Sequence, residues 1–350
     1  MSVSVRDVAI AASVSVGTVS NVLNRPDKVA PATVARVLAA IDELGFVRND
    51  AARQLRAGRS RSIGLVVQDV GNPFFAEIAR GAEDRAAEDG MAVLLGNADQ
   101  QSRRETSYLD LFREQRVNGV LVSPTGEDLA PMERLRDAGI PVVLVDREAP
   151  DAEFSWVAVD DVEGGHLAAT HLLERGRRRL AFIAGPRSIR QVGDRLEGAR
   201  RAVAAQAGAT LEVVEMAALS VLEGRRAGAQ LVARAPRERP DAVFAANDLL
   251  AVGALQAFAL IGDVRVPEDV ALIGYDDIDF AAAAVVPLSS IRQPARLIGS
   301  SAVDVLLKNI ADPHGSHDRG IRFQPELVVR ASTAGGDTIT PAAFAAETAS

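Results

Sequence analysis

The sequence predicts a small all-α headpiece at the N-terminus, followed by an α/β body of two similar lobes, each a doubly wound parallel sheet. Three observations lead there. Residues 5–24, VRDVAIAASVSVGTVSNVLN, hold two short helical periods broken at Ser13-Val14-Ser15, the pattern of a helix-turn-helix. Past residue 61, short runs apolar on both faces alternate with helical stretches, as in parallel sheets covered on both sides. The alternation occurs twice, so two lobes follow, and 350 residues with 48% hydrophobic content are enough to build several cores.

In the headpiece, Ser4 and Asp7 have the spacing of a capping box that starts a helix at Val5, with Val8, Ala9 and Ala12 as its apolar stripe. Ser15 offers a hydroxyl to the open N–H groups of a second helix, Val16 to about Asn24. Val19, Val22 and Leu23 face inward. The other face carries Val16, Gly17, Thr18, Ser20 and Asn21, small or hydrogen-bonding groups that can reach base edges in a major groove. Pro31 opens a third helix; Val34, Val37, Leu38, Ile41 and Leu44 recur at helical spacing and close a three-helix core before Gly45 ends it. The segment from Asn49 to Ala57 has Leu55 as its one large apolar residue, so nothing in it can bury itself alone.

Strands of the body are expected at Ile63–Asp69, Met91–Gly96, Gly119–Ser123 and Pro141–Asp146, then at Leu180–Gly185, Leu211–Met216, Asp241–Asn247 and Asp269–Asp277. Ligands of open parallel sheets bind at the carboxyl ends of strands. Those ends carry Asp69, Ser123, Asp146, Asn247 with Asp248, and Asp276 with Asp277; Phe74 and Phe75 open the helix after the first strand, and Arg195 lies near the start of the helix after the fifth. Singly, each acid suits a helix N-cap. Together they furnish a cleft for a polar small molecule, with carboxylates, amide and guanidinium facing two aromatic rings.

The net charge of -8 is unevenly spread: residues 1–61 hold nine basic groups against five acidic ones, and the remainder 30 against 42. A basic head on an acidic body suits phosphate contact by the head alone. Cysteine is absent, and neither a signal-peptide pattern nor a membrane-length apolar run occurs, so a cytoplasmic protein with no membrane partner is expected. The best enzymatic alternative is a metal-dependent, phosphate-processing site on Asp160-Asp161 or Asp276-Asp277. Against it, His166 and His171 do not share a helix face, His314 and His317 lie in a loop, and no GxSxG elbow, Walker A loop or GxGxxG fingerprint is present. No catalytic residue, metal or cofactor is therefore expected.

The segments DVAIAASVSVGTVSNVLN and VAPATVARVLAAIDELGFVRNDAARQLRAG resemble the headpiece of the lac-repressor (LacI/GalR) family of bacterial transcription regulators, and the likeness continues at lower density to about Thr333. The resemblance implies an effector-responsive, sequence-specific DNA-binding regulator, a repressor, acting as a homodimer on a near-palindromic operator in double-stranded DNA. It implies a headpiece over residues 1–48, a hinge helix and linker over 49–61, and a type I periplasmic-binding-protein-like body over 62–333 whose lobes exchange near 160, 291 and 323. The tail, 334–350, lacks leucine heptads and is expected to be disordered. Ser15, Val16, Gly17, Thr18, Ser20 and Asn21 would meet DNA, Leu55 would be the wedge pushed into the minor groove, and Arg56 its neighbour. Arg195, Asn247 and Asp276 match residues that hydrogen-bond the effector, a sugar or related metabolite; Phe74 or Phe75 matches its aromatic wall and Asp146 a contact at the lobe edge. Leu219 departs from the pattern where relatives often stack an aromatic. Trp156 is expected in the core, with a stacking role as the alternative. A secreted sugar receptor of the periplasmic type shares the two-lobed fold, but the basic headpiece and missing signal peptide speak against it.

Overall fold

The computed structural model describes residues 3–46, 60–149, 153–261, 264–312 and 320–334. The chain forms two compact units, 1–59 and 60–350. The expected hinge helix, with Leu55 and Arg56, lies outside the described residues, as do His314, His317 and the tail beyond Ala334.

The first unit consists of α1 (Val5–Ala11), α2 (Val16–Asn24) and α3 (Pro31–Leu44). Ser4 and Asp7 form the reciprocal capping box: the Ser4 N–H donates to Asp7 Oδ2 at 2.8 Å and its hydroxyl accepts from the Asp7 N–H. Val8, Ala9, Ala12, Val19, Val22, Val37 and Ala40 are buried together, with Leu23, Val34, Ile41 and Leu44 packed round them. Leu38 departs from expectation and is 47% exposed. The inward stripe runs through Val37, Ala40, Ile41 and Leu44, and Leu38 sits one residue, about 100° of helix, off Val37. Gly45 ends α3 with φ of 61°, a left-handed cap that glycine adopts at least cost.

The second unit holds two sheets. Its chain runs β1 (Ser62–Val67), α4 (Pro73–Glu88), β2 (Ala92–Asn97), α5 (Ser102–Glu114), β3 (Val120–Val122), α6 (Ala130–Asp137), β4 (Val142–Val145) and β5 (Ser155–Val159) in the first lobe. The second lobe follows with α7 (Asp161–Glu174), β6 (Arg179–Ala184), α8 (Arg190–Ala204), β7 (Thr210–Glu215), α9 (Val221–Val232), β8 (Ala242–Ala245), α10 (Asp248–Ile261), β9 (Ala271–Asp276), α11 (Asp279–Ala282) and β10 (Ser289–Arg292). The chain then returns through α12 (Ala295–Ala311) and β11 (Gly320–Phe323) to the first lobe, and ends in the second with β12 (Glu326–Val328) and α13 (Ala331–Ala334).

Strand order is β11-β5-β4-β3-β1-β2 in one sheet and β12-β10-β9-β8-β6-β7 in the other, all parallel except β12 against β10. The lobes thus repeat one winding, with three passages between them: at Asp160, between β10 and α12, and between β11 and β12. Strand order reverses at β1/β3 and at β6/β8, which opens a crevice at the carboxyl ends of those strands. Ile63, Leu65 and Val67 share the first lobe's core with Ile78, Ala82, Ile298 and Ala302, so α12 packs with α4 although the whole second lobe lies between them in the chain. Phe182, Phe244 and Tyr275 centre the second lobe, the phenylalanine rings edge to face at 5.0 Å. Trp156 belongs to the core beside Phe154 and Leu144, which settles its role as packing. One expected buried run is different: β2 is an edge strand, and Leu94 and Leu95 are exposed.

Candidate DNA-reading helix and ligand cleft

Helix α2 begins where its sequence places the cap: Ser15 Oγ accepts from the Thr18 N–H at 3.0 Å. Ser13, at φ of 52°, makes the sharp turn before it, in a region a non-glycine residue enters at some cost. Val16, Gly17 and Asn21 are exposed on α2, while Thr18 and Ser20 are half-buried. The last two already have local partners: Thr18 Oγ1 lies 2.9 Å from Ser15 Oγ, and Ser20 Oγ accepts from Asn24 Nδ2 at 3.3 Å. The helix carries no formal charge. It therefore presents a methyl pair, a bare backbone and one free amide, a surface suited to base edges rather than to phosphates.

In the body, Asn72, Phe74 and Phe75 at the start of α4, Asp146 after β4, Gln191 and Arg195 on α8, Leu219 before α9, Asn247 after β8 and Asp276 at the end of β9 border one small space of about 20 Å³. Phe74, Phe75, Asp146, Arg195, Asn247 and Asp276 are thus brought together, as is Leu219. Ser123, fully buried after β3, does not border this space, and its Oγ has no partner. Asp146 and Gln191 also border a larger cavity of about 320 Å³, whose other walls include Arg147, Glu148, Asp160, Asp161, Glu163, Arg190 and Asp194.

Arg195 is the hub. Its Nε donates to Asp161 Oδ1 at 2.7 Å and its Nη1 to the Ala246 carbonyl at 2.8 Å; Asp276 Oδ1 is 3.8 Å away, and the guanidinium lies 3.7 Å from the centre of the Tyr275 ring. A Cβ at Gly165 on α7 would collide with the Arg195 backbone carbonyl, so glycine permits the close packing of α7 and α8 that pairs Asp161 with Arg195. Burial works against the guanidinium's charge, but Asp161, Tyr275 and Asp276 outweigh it and hold the group above its usual range. Burial pushes the Asp161 and Asp276 carboxyls up, with Arg195 opposing, and drives Asp146 well above the usual range, with help from the charges of Asp161 and Asp276.

The lobes touch across this space through side chains. Asn72 Nδ2 donates to Asp276 Oδ2 at 3.0 Å, Gln191 Nε2 donates to Asp146 Oδ2 at 3.0 Å and to its backbone carbonyl, and the Leu219 N–H donates to Gln100 Oε1 at 3.4 Å. Asp146 and Asp276 both sit at positive φ, 57° and 103°. Such backbones cost about 1 to 3 kcal/mol each and cluster at sites where the surrounding structure holds them for use. The cavity's 20 Å³ is room for about one water, so a metabolite enters only by parting these contacts.

Of the site's amides, only Asn247 was expected as a ligand contact. Asn72 reads in the sequence as the N-cap of α4, and it is one, with Oδ1 accepting from the Phe74 N–H at 3.1 Å, while its other end crosses to Asp276. Gln191 had a usable signal, since it lies four residues before Arg195 and shares its helix face. Gln293, donating to Asp276 Oδ1 at 2.8 Å, had none. The acid pairs proposed for a metal point apart. Asp160 caps α7 through the Glu163 N–H at 2.9 Å, Asp161 holds Arg195, and Asp277 pairs with Arg292 at 2.8 Å and Arg330 at 2.5 Å. Among the described residues no group of three His, Cys, Asp or Glu is placed to hold a metal ion, and no helix is long and apolar enough to cross a membrane. His171 is a buried structural group, 2.7 Å from Thr333 Oγ1.

A helix-turn-helix with an uncharged reading face, attached to two lobes meeting over a polar crevice, defines a ligand-responsive DNA-binding regulator. Comparison with known proteins agrees: residues 4–49 match the lacI family of bacterial regulatory proteins, and residues 169–333 match a periplasmic binding protein-like domain. The chain is 35% identical to the HTH-type transcriptional repressor PurR of Aliivibrio fischeri over 333 residues, covering 94% of this chain and 97% of the relative. It is 37% identical to the ribose operon repressor of Bacillus subtilis over 303 residues, covering 87% and 90%. Among solved structures, the transcriptional regulator CelR in complex with cellobiose aligns with TM-score 0.69 at 35% identity over 94% of this chain and 99% of that one. The lac repressor dimer bound to operator aligns with TM-score 0.81 at 26% identity over 95% and 99%. The chain belongs to the lacI family of bacterial transcriptional regulators, and it is a helix-turn-helix DNA-binding protein.

Proposed function

We propose that this regulator is a repressor that binds a near-palindromic operator as a homodimer and is released or engaged by a small polar ligand in the cleft between its lobes. Residues 1–48 are the DNA-reading headpiece, with Ser15, Val16, Gly17, Thr18, Ser20 and Asn21 at the groove. Residues 49–61, with Leu55 and Arg56, are the hinge that enters the minor groove; 62–333 bind effector and partner; 334–350 are a tail. Exposed Leu94 and Leu95 on the edge strand β2 supply apolar surface for a second copy to cover. The observation that carries the effector reading is the convergence of Asp146, Arg195, Asn247 and Asp276 with Phe74 and Phe75 on one crevice, from points spread along the chain from Phe74 to Asp276. Because Asn72–Asp276 and Gln191–Asp146 join the lobes directly, a ligand that displaces those bonds changes the lobe arrangement, and it shifts DNA affinity only by its differential affinity for the two arrangements.

The test is operator binding by the full chain with and without a ligand found by thermal-shift screening. Asn247→Ala and Asp276→Ala should each weaken ligand binding roughly ten- to hundredfold, since a lost partner leaves a buried polar group unpaired. Both should still bind operator without ligand if the ligand is an inducer. Wild-type ligand response in both variants would place the effector elsewhere.

A further inference from the structure

Asp146 follows β4 in the first lobe, yet much of its surroundings belongs to the second. The residue is 3% exposed, and Gln191 Nε2 on α8 donates to Oδ2 at 3.0 Å and to the backbone carbonyl, while Oδ1 has no partner. The charges that reach it across the crevice are those of Asp161 on α7, Arg195 on α8 and Asp276 on β9, two carboxyls and one cation. That cation is already engaged by Asp161 and the Ala246 carbonyl. The other charges round the adjoining cavity supply no counter-ion. Arg147 turns Nη1 to the Gly126 carbonyl and Nη2 to Glu127, and its Nε bonds no group. Arg190 leans on Glu127 and Asp194, Arg322 on Glu148 and Asp160, and Arg201 on Glu197; Glu163 adds a further acid. A buried carboxyl without its own cation favours the neutral form. Parting the lobes takes away Gln191, Asp161, Arg195 and Asp276 together and admits water, which returns Asp146 to an ordinary solvated carboxyl.

We propose that closing the lobes takes up a proton at Asp146, so that acidity favours the closed arrangement of this regulator and alkalinity the open one. The proposal concerns the lobes alone and does not depend on what the cleft binds. In the closed form burial, and then the charge of Asp161, raise the Asp146 carboxyl well above its ordinary range, with Arg195 opposing. Linkage fixes the direction of the effect. A carboxyl raised in the closed form favours closure fully below its open-state pKa, about 4, and that contribution is lost as pH rises toward the closed-state value. Within the window the closed-to-open ratio falls by up to about tenfold per pH unit.

The chain contains no cysteine, so Arg134→Cys on α6 and Arg200→Cys on α8, both exposed and one on each lobe, carry two spin labels and no others. Pulsed electron–electron resonance on the full chain, diluted with unlabelled chain so that only pairs within one chain are read, gives the lobe separation between about pH 5 and about pH 8. The closed population should fall as pH rises, its ratio to the open one by about threefold or more over that range. Asp146→Asn cannot ionise and suits the left-handed backbone at φ of 57°, so its separation should be independent of pH. Asp146→Gly, at ease in the same backbone region, should be equally indifferent and repeats the test should the amide variant fail to fold. A wild-type separation unmoved by pH, lobes that close as pH rises, or a pH response that survives in a folded variant overturns the proposal.

Discussion

Arg195→Ala should remove a large part of the body's stability, for reasons visible in the guanidinium's surroundings. The side chain is 5% exposed, donates to Asp161 at 2.7 Å and to the Ala246 carbonyl at 2.8 Å, and stacks on Tyr275. Its removal strands Asp161 and Asp276 as buried carboxyls with no counter-ion, which in comparable pairs costs about 3 to 5 kcal/mol. The orphaned Ala246 carbonyl adds about 1 to 3 kcal/mol unless the backbone relaxes. Protonation of the carboxyls limits the sum, so the net loss should stay near 3 to 5 kcal/mol, against about 5 to 15 for a typical domain. Urea unfolding of the full chain followed by far-ultraviolet circular dichroism measures it. The pH dependence carries a sign. Burial already raises Asp161 and Asp276, and loss of the opposing cation raises them further, so the folded variant takes up protons that the unfolded chain does not bind until lower pH. The variant's deficit should therefore shrink as pH falls toward about 5, still above the unfolded carboxyl range. A loss below about 1 kcal/mol, or a deficit that grows on acidification, would refute the placement of Arg195 at the centre of the cluster.

Three further outcomes are expected. Asp146, raised well above its ordinary pKa by burial, makes wild-type stability fall as pH rises from about 4 through its folded-state pKa, so Asp146→Asn should flatten that slope in thermal unfolding; parallel slopes would contradict it. Ser15→Ala removes the α2 cap and the Thr18 hydroxyl's partner, and should destabilise the headpiece by about 1 kcal/mol, read as a lower melting temperature of the headpiece with the body unchanged. Leu55→Ala should leave the body's unfolding intact and weaken specific operator binding, with unstacking of a few kcal/mol at stake; unaltered operator bend and affinity would return Leu55 to a linker role.

Much of this was legible because it is local. Ser4 with Asp7, and Ser15, announce helix starts that depend on groups three residues apart, and the runs of β1, β4, β8 and β9 are apolar because both faces are covered. The carboxylates at strand ends were visible because a charge after an apolar run stands out. Less local features were hidden. β10 and β12 are short and half polar, and take their sheet positions from neighbours far along the chain. Asn72 announces its capping role, but its bond to Asp276 spans 204 residues. The polar lining around Arg195 illustrates the same limit: a guanidinium near the start of a helix that follows a strand suggests a ligand contact, whereas Asp161 and the Ala246 carbonyl occupy much of its fork. Leu38 shows that apolar spacing on a short helix does not distinguish the inward stripe from its flank.

The most direct test of a two-fold, headpiece-read operator is selection of binding sites from random duplex DNA by the full chain, followed by affinity measurement across salt concentrations. Two half-sites related by two-fold symmetry should emerge, and affinity should fall steeply with salt as several phosphates are neutralised, by about 10³-fold or more between 50 and 200 mM for six or more contacts. Enrichment of single or directly repeated sites, or affinity indifferent to salt, would contradict the account.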